Sequence, residues 1–234
     1  MALAVYASNA RAQRLLPPDP SKTIGGVVSF AGFVDAEGRD GESLMRPDAS
    51  GRALPWIVSP IYTRCPHTCS PLTTGLRTAL EKSDLQGTEY RVVSFSFDPD
   101  ETAEGLRAFR AKLQLPDTWL TVRAARPEAL ERVLASLDFR TIKNADGQYD
   151  HPNLVAILAP DLRLTEYLFG IRFVPTQLAA AVRRAPNGPS PLAGWHGYLF
   201  AVAGTGLMLS AFVFVSVLLR RRARRATERT RAAC

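Results

Sequence analysis

Two cysteines, Cys65 and Cys69, stand four positions apart in the run IYTRCPHTCSP and define the chemistry open to this chain. That spacing brings both sulfurs to one side of a helical turn or tight loop, where they can share a soft metal ion or close into a disulfide. The alternative is that they are only small buried hydrophobic side chains. Pro66 and Pro71 argue against it, because they place the pair in a turn where burial gains little.

The elements on either side indicate how the cysteines are positioned. Residues 54–62 have the pattern of a short buried strand, and Leu72, Leu76 and Leu80 recur at helical spacing. The cysteines are therefore expected on a turn that leads from a strand into a helix. Unsatisfied N–H groups and the macrodipole at a helix N-terminus favour thiolate over thiol, and thiolate is the form that binds metal and exchanges disulfides.

Strand and helix patterns alternate through residues 24–185, the segment expected to form one globular domain. Residues 27–34 and the turn-rich DAEGRDGES predict an N-terminal β-hairpin. This order of elements predicts an α/β layer fold of thioredoxin type. The predicted strands are 54–62, 90–97, 120–122, 154–158 and 165–169, the last two forming a hairpin, and the predicted helices carry Leu72, Leu106, Pro127 and Thr176.

Residues 198–219 are expected to form a transmembrane helix. These 22 residues carry no charge, and at ~1.5 Å per residue they would span about 33 Å, which matches the hydrocarbon core of a bilayer. A buried helix of a globular core is the alternative. Such a helix is rarely apolar on every face and followed at once by a run such as RRRARR.

The positive charge of the chain is confined to its C-terminal tail. Residues 220–234 hold seven Arg and one Glu, which gives +6 of the net +7 of the whole chain. The globular part is nearly neutral, so the tail indicates the cytoplasmic flank of a membrane helix, and no nucleic-acid partner is expected. This topology places the globular domain in the periplasm and Cys234 on the cytoplasmic side.

The two segments that border the domain are expected to be extended connections. Residues 1–23 are interpreted as the remnant of an export signal followed by a Pro-rich tether, and Ala10-Arg11-Ala12 resembles a small-residue cleavage site. The apolar run before that site is short, which predicts that the true start lies upstream. Residues 186–197 are interpreted as a linker between the domain and the membrane.

Four motifs, in order along residues 27–178, resemble the Sco/SenC family. They are YTRCPHTC after the first buried strand, SFSFDPDET after the next, DH at Asp150-His151, and YLFG after a Pro-Asp turn. The resemblance implies a membrane-anchored, thioredoxin-like domain that serves assembly of the copper site of cytochrome c oxidase as metallochaperone, thiol reductant or both. The implied partners are the copper-site subunit of the oxidase and an upstream copper donor or thiol reductant.

By position in these motifs, the copper ligands are Cys65, Cys69 and His151, and the two cysteines are also the redox-active pair. Two soft thiolates and one imidazole suit Cu(I) and can also hold Cu(II), whereas structural zinc favours a fourth protein ligand. In an oxidising compartment the cysteine pair needs a reductant before it can take Cu(I).

Two interpretations are open for each of several residues near these ligands. His67 is either an extra ligand during copper delivery or a solvated side chain, and Asp150 either supports the ligand or is solvated. Asp98 either has a function or only closes a strand together with its proline neighbour. Pro152 follows His151 where Ser or Thr is commoner in the family, which leaves open whether their peptide bond is cis.

A thiol-disulfide oxidoreductase that handles no metal is the main alternative function. Such proteins more often place two residues between their cysteines, and the three here disfavour this reading without excluding it. A peroxidase is suggested only weakly, by Thr63-Arg64-Cys65, and a redox or copper sensor fits the same ligands. The sequence thus favours a metallochaperone over an enzyme and leaves thiol reduction open.

Overall fold

A computed structural model describes residues 16–46, residue 51 and residues 53–188. These belong to a compact unit that spans residues 1–191. The predicted export-signal remnant, the predicted membrane helix at 198–219, the basic tail and most of the predicted linker lie outside the described residues. Within the described part, no helix is long and apolar enough to cross a membrane.

The domain is built on one mixed sheet. Its six strands are β1 (Phe33–Asp35), β2 (Trp56–Ile61), β3 (Arg91–Ser96), β4 (Trp119–Ala124), β7 (Leu154–Leu158) and β8 (Leu164–Phe169), and a separate two-stranded ribbon is formed by β5 (Ile142–Lys143) and β6 (Tyr149–Asp150). The order across the sheet is β1-β4-β3-β2-β7-β8. Strands β2, β3 and β4 run parallel, while β1, β7 and β8 join antiparallel to their neighbours.

Continuous apolar runs explain why the central strands are buried on both faces. All six residues of β2 and all five of β7 are buried, as expected for strands that are covered on both sides. The predicted hairpin of two strands about Pro160 is confirmed, because β7 pairs antiparallel with β8. The sheet therefore holds the C-terminal end of β2 in a fixed position, four residues before Cys65.

Six α-helices lie in the described part of the chain, four of them at predicted positions and the first two not predicted. They are α1 (Pro20–Thr23), α2 (Gly41–Leu44), α3 (Cys69–Glu81), α4 (Ala103–Leu113), α5 (Pro127–Ser136) and α6 (Pro175–Arg184), followed by a 3-10 turn (Ala185–Asn187). Helix α3 buries Leu72, Leu76 and Leu80, the apolar face that its spacing predicts. It contacts α4 and α6, and α5 contacts β4. The predicted α/β arrangement is confirmed.

The predicted N-terminal β-hairpin is wrong. Strand β1 pairs with β4, with Phe33 opposite Ala124, and the turn after it adds a single bridge between Val34 and Asp40. The Asp35 carboxylate accepts hydrogen bonds from two backbone N–H groups of this turn, and Asp40 caps α2 by accepting from a backbone N–H. Helix formation therefore replaces the second strand.

Two further segments differ from the predicted connections. Residues 20–23 of the predicted tether form α1, where the Thr23 hydroxyl lies 3.0 Å from the Tyr167 hydroxyl and is buried. Residues 142–150, where no strand is predicted, form the β5-β6 ribbon around a turn at Gly147, whose φ of 81° favours glycine. This ribbon ends one residue before His151.

Candidate metal centre

The cysteine pair lies on the turn between β2 and α3. Cys65 is in the turn and partly exposed, whereas Cys69 is the first residue of α3 and is buried. The backbone N–H groups of Thr68 and Cys69 both point at Cys65 Sγ, at 3.4 Å each. These are the unsatisfied donors of the helix N-terminus, so the fold supplies the electropositive setting that stabilises a thiolate.

The two thiols are electrostatically unequal. A hydrogen bond from the Cys69 thiol, supported by backbone N–H groups of the turn, lowers the pKa of Cys65 despite partial burial. The same contact and burial raise the pKa of Cys69. In the reduced protein Cys65 is therefore the thiolate, and Cys69 carries the proton that the pair shares.

The third predicted ligand comes from the opposite side of the site. His151 follows β6, and its Nε2 lies 3.9 Å from Cys69 Sγ. Its other ring nitrogen, Nδ1, lies 3.1 Å from the carbonyl oxygen of Pro152. Since that oxygen can only accept, Nδ1 carries the proton and Nε2 presents its lone pair to the thiols.

The structure thus brings the three predicted ligands together. The ligand atoms of Cys65, Cys69 and His151 all lie within 4.8 Å of one another. Among the described residues, these three side chains form the cluster that could hold a metal ion. Two soft sulfurs and one imidazole form a candidate copper site.

Aromatic rings form a wall behind the imidazole. The His151 ring lies 4.9 Å from Phe97, 6.1 Å from Tyr62 and 6.2 Å from Phe139, measured between centroids. Phe97 also packs at 5.7 Å from Tyr149. The rings restrict the imidazole to one orientation and keep water away from one side of the site. Burial raises the pKa of Tyr62 to about 12, so its hydroxyl stays neutral.

A buried carboxylate holds the residues that precede Cys65. Glu101 is 8% exposed. It accepts hydrogen bonds from the Thr63 backbone N–H at 3.0 Å, the Thr63 hydroxyl at 2.7 Å, the Ser96 hydroxyl at 2.8 Å and the Thr102 N–H at 3.0 Å. Four donors compensate a charge that would otherwise be costly to bury. The end of β2 is thereby fixed to the turn after β3.

Asp98 joins the cysteine turn to the ribbon that carries the histidine. Its buried carboxylate accepts from Arg64 Nε at 3.1 Å, and the Tyr149 hydroxyl donates to its other oxygen at 3.3 Å. Arg64 directly precedes the first ligand, and Tyr149 lies two residues before His151. Asp98 is thus a structural bridge between both halves of the site, and it is not among the three clustered ligands.

The remaining predicted residues are not brought to the metal centre. His67 and Asp150 are exposed, and neither belongs to the cluster of described ligands. The described residues contain no cis peptide bond, so the bond between His151 and Pro152 is trans. Cys234 lies outside the described residues.

Comparison with known proteins identifies the family. The SCO1/SenC family model matches residues 34–186, about two thirds of the chain. The chain belongs to the SCO1/SenC family.

Solved structures with the same fold support this membership. A protein of Aquifex aeolicus VF5 is 28% identical, with a TM-score of 0.63 over 70% of this chain and 95% of that one. Arabidopsis thaliana ScoI, solved with copper bound, is 18% identical, with a TM-score of 0.56 over 69% and 99% of the two chains. BsSco, described as a member of the Sco family of cytochrome c oxidase assembly proteins, is 22% identical, with a TM-score of 0.57 over 75% and 98%. The thioredoxin-like fold of the Sco family is thereby confirmed.

Sequence reasoning missed the residues that support the ligands. Glu101 stands inside the quoted motif SFSFDPDET, yet its four hydrogen bonds depend on how β3 and α4 place it against β2. Phe97 ends the predicted strand 90–97, and the sequence gives no prediction for Phe139. A signal for Glu101 was present, because an acidic residue directly before the helix-capping Thr102 is well placed to accept backbone hydrogen bonds.

Proposed function

We propose that this protein binds copper through Cys65, Cys69 and His151 and serves assembly of the copper site of cytochrome c oxidase. The observation that carries the proposal is the convergence of the three ligand atoms within 4.8 Å, on side chains from two separate parts of the sequence. The proton of the imidazole faces away from the thiols, so Nε2 is free to donate to a metal ion. Copper would be the cargo of the protein.

The unequal thiols set an order for loading and release. Cys65 already carries negative charge and is partly exposed, so it is the sulfur that first meets an incoming copper donor. Cys69 has to lose its proton before it becomes the second thiolate ligand. A recipient of the copper would also meet Cys65 first, because Cys65 is the exposed sulfur of the pair.

Reduction of a partner's disulfide is the second candidate role, and the same asymmetry favours it. A partly exposed thiolate beside a buried, protonated thiol is the arrangement of an attacking sulfur and a resolving sulfur. Cys65 would form the mixed disulfide with the partner, and Cys69 would then displace the partner's thiol. This exchange leaves a disulfide between Cys65 and Cys69, and an upstream reductant has to reduce it before the next cycle.

Anchoring and location are part of the proposal. The uncharged run at 198–219, followed by the Arg-rich tail, supports a C-terminal membrane helix with the domain in the periplasm. The copper-site subunit of the oxidase is membrane-bound in this proposal, so a tethered domain would meet it at high effective concentration. A metal-independent oxidoreductase and a redox or copper sensor remain the alternatives.

Anaerobic titration with Cu(I) against a chromophoric chelator tests the copper site. The reduced full chain in detergent is used with Cys234→Ser, so that only the domain cysteines remain. One equivalent is expected to bind tightly, and X-ray absorption should show two sulfur scatterers and one nitrogen. If the Cys65→Ser, Cys69→Ser double variant competes with the chelator as well as the parent does, the site assignment is wrong.

A further inference from the structure

A groove of about 700 Å³ runs along the surface beside the cysteine pair. One wall is the exposed side of α3, beginning at Ser70 and Pro71, and the other is the segment 171–175 between β8 and α6. Ile171 and Phe173 make the second wall apolar. A concave and largely apolar surface of this kind is typical of a binding site for another molecule.

The groove is continuous with both halves of the metal centre. Ser70, at its end, directly follows the ligand Cys69. The opposite wall is tied to the other ligand, because the Gly170 N–H donates to the Asn153 carbonyl at 2.8 Å, two residues after His151. A segment lying in the groove would therefore end beside the copper ligands.

The groove is preformed. A Cβ on Gly75 would lie 2.1 Å from the carbonyl oxygen of Ile171, so the backbone of the second wall rests directly on α3. Little ordering is then needed when a partner binds, which favours affinity. Val174, between the lining residues Phe173 and Pro175, is 50% exposed and adds apolar surface beside this wall.

The charged residues that line the groove are both cations. They are Lys82 and Arg172. In the described part of the chain neither forms an ion pair, whereas Arg64 and Arg183 are each paired with an aspartate. We infer that this groove docks an apolar segment carrying carboxylates, contributed by the protein that exchanges copper or disulfides with the cysteine pair. The inference rests on the proposed function, since it names the surface by which that site meets its partner.

The test uses short peptides whose cysteine is activated as the thionitrobenzoate disulfide. An acidic peptide, acetyl-CGLDVLEG-amide, is compared with a basic one, acetyl-CGLKVLKG-amide, and each is also made with the cysteine at the other end. In the metal-free reduced protein with Cys234→Ser and Cys69→Ser, the Cys65 thiolate attacks the peptide sulfur. The bond from that sulfur to thionitrobenzoate breaks, and the coloured thiolate that leaves gives the rate.

The acidic peptide is expected to react about threefold to tenfold faster than the basic one in at least one orientation. This preference corresponds to about 0.7–1.4 kcal/mol, which two exposed ion pairs can supply together. The preference should shrink at 1 M salt, which screens exposed charges. Charge reversal by Lys82→Glu with Arg172→Glu should favour the basic peptide, whereas Lys112→Glu, on the exposed side of α4, should leave the preference unchanged.

Rates are divided by the rate with neutral dipyridyl disulfide, which measures Cys65 alone. Equal normalised rates for both peptides, or a preference that survives charge reversal, would overturn the docking inference. Self-association and binding to phosphatidylglycerol vesicles are measured in the same variants. If charge reversal leaves the peptide preference unchanged but abolishes either of these, the docking inference is also overturned, because the groove would then bind a second copy of the chain or a membrane. Copper titration is separate, so failure of the copper site and failure of the groove are distinguishable.

Discussion

Gly105 lies in the first turn of α4, and replacing it with Ala tests whether Glu101 fixes the cysteine turn. Helix propensity alone predicts that Ala stabilises the protein by about 0.5–1 kcal/mol. The structure predicts the opposite sign. A Cβ at this position would lie 2.4 Å from Glu101 Oε1 and 2.8 Å from the Thr63 hydroxyl.

The magnitude follows from the two hydrogen bonds that Oε1 accepts. Ordinary contact with a Cβ begins at 3.4 Å, so the oxygen has to move by 3.4 minus 2.4, or 1.0 Å. That shift breaks or lengthens the bonds from the Thr63 hydroxyl and the Thr102 N–H. Losing one hydrogen bond to a charged group costs about 1.5–3 kcal/mol. After the helix gain is subtracted, Gly105→Ala should destabilise by about 1–2 kcal/mol.

Urea unfolding of the reduced full chain in detergent, followed by near-ultraviolet circular dichroism, measures the effect. Gly87→Ala is the matched control, because a Cβ at Gly87 meets nothing within 4 Å, and it should stay within about 0.5 kcal/mol of the parent. In the double variant with Glu101→Ala, the second substitution should cost less than it does alone. A neutral or stabilised Gly105→Ala protein would refute the view that Glu101 is held rigidly against the cysteine turn.

Three further results are expected. Because the pKa of Cys65 is lowered, the rate of its alkylation by iodoacetamide should stay nearly flat from pH 6 to 8. The rate for an ordinary thiol with a pKa near 8.5 rises roughly tenfold per pH unit over this range. Cys69→Ala should restore that steep dependence, and a steep rise in the parent protein would contradict the assignment of Cys65 as the thiolate. His151→Ala should lower copper affinity and impair oxidase maturation at limiting copper while leaving reduction of a model disulfide within a few-fold of the parent; the reverse pattern would favour the metal-independent oxidoreductase. A reporter fused after Arg231 should be active only in a cytoplasmic-reporter assay, and activity in an exported-reporter assay would overturn the topology.

Hydrophobic patterns in the sequence predicted those helices and strands whose formation depends on burying their own apolar residues. The apolar spacing of Leu72, Leu76 and Leu80 marked α3, and the unbroken run LVAIL marked β7. Both patterns are strong because burial dominates them. The pairing of β1 with β4 was not predictable in the same way, since their partner residues are about ninety positions apart and a nearby turn offered a competing hairpin.

The ligands of the site were predictable, but their support was not. The spacing of the two cysteines is enough to predict them as ligands. His151 is recognisable only through the family motif around it, because an isolated histidine has no characteristic spacing. Glu101 and Asp98 act through contacts with Thr63, Arg64 and Tyr149 that chain folding alone creates. Such contacts have no periodicity, so they can be found only once the elements are assembled.

The two halves of the metal centre are held by different means, and this bears on how one site could both deliver copper and reduce disulfides. The cysteine turn is fixed at its start by Glu101 and at its end by the first turn of α3. His151, by contrast, follows a two-stranded ribbon and is held by ring contacts and by side-chain hydrogen bonds that tie the ribbon to Tyr62 and Asp98. Moving the ribbon would withdraw the imidazole and leave both thiols in place. Under the proposed function, copper would leave a site that has lost its third ligand, while the dithiol would stay in place for disulfide exchange.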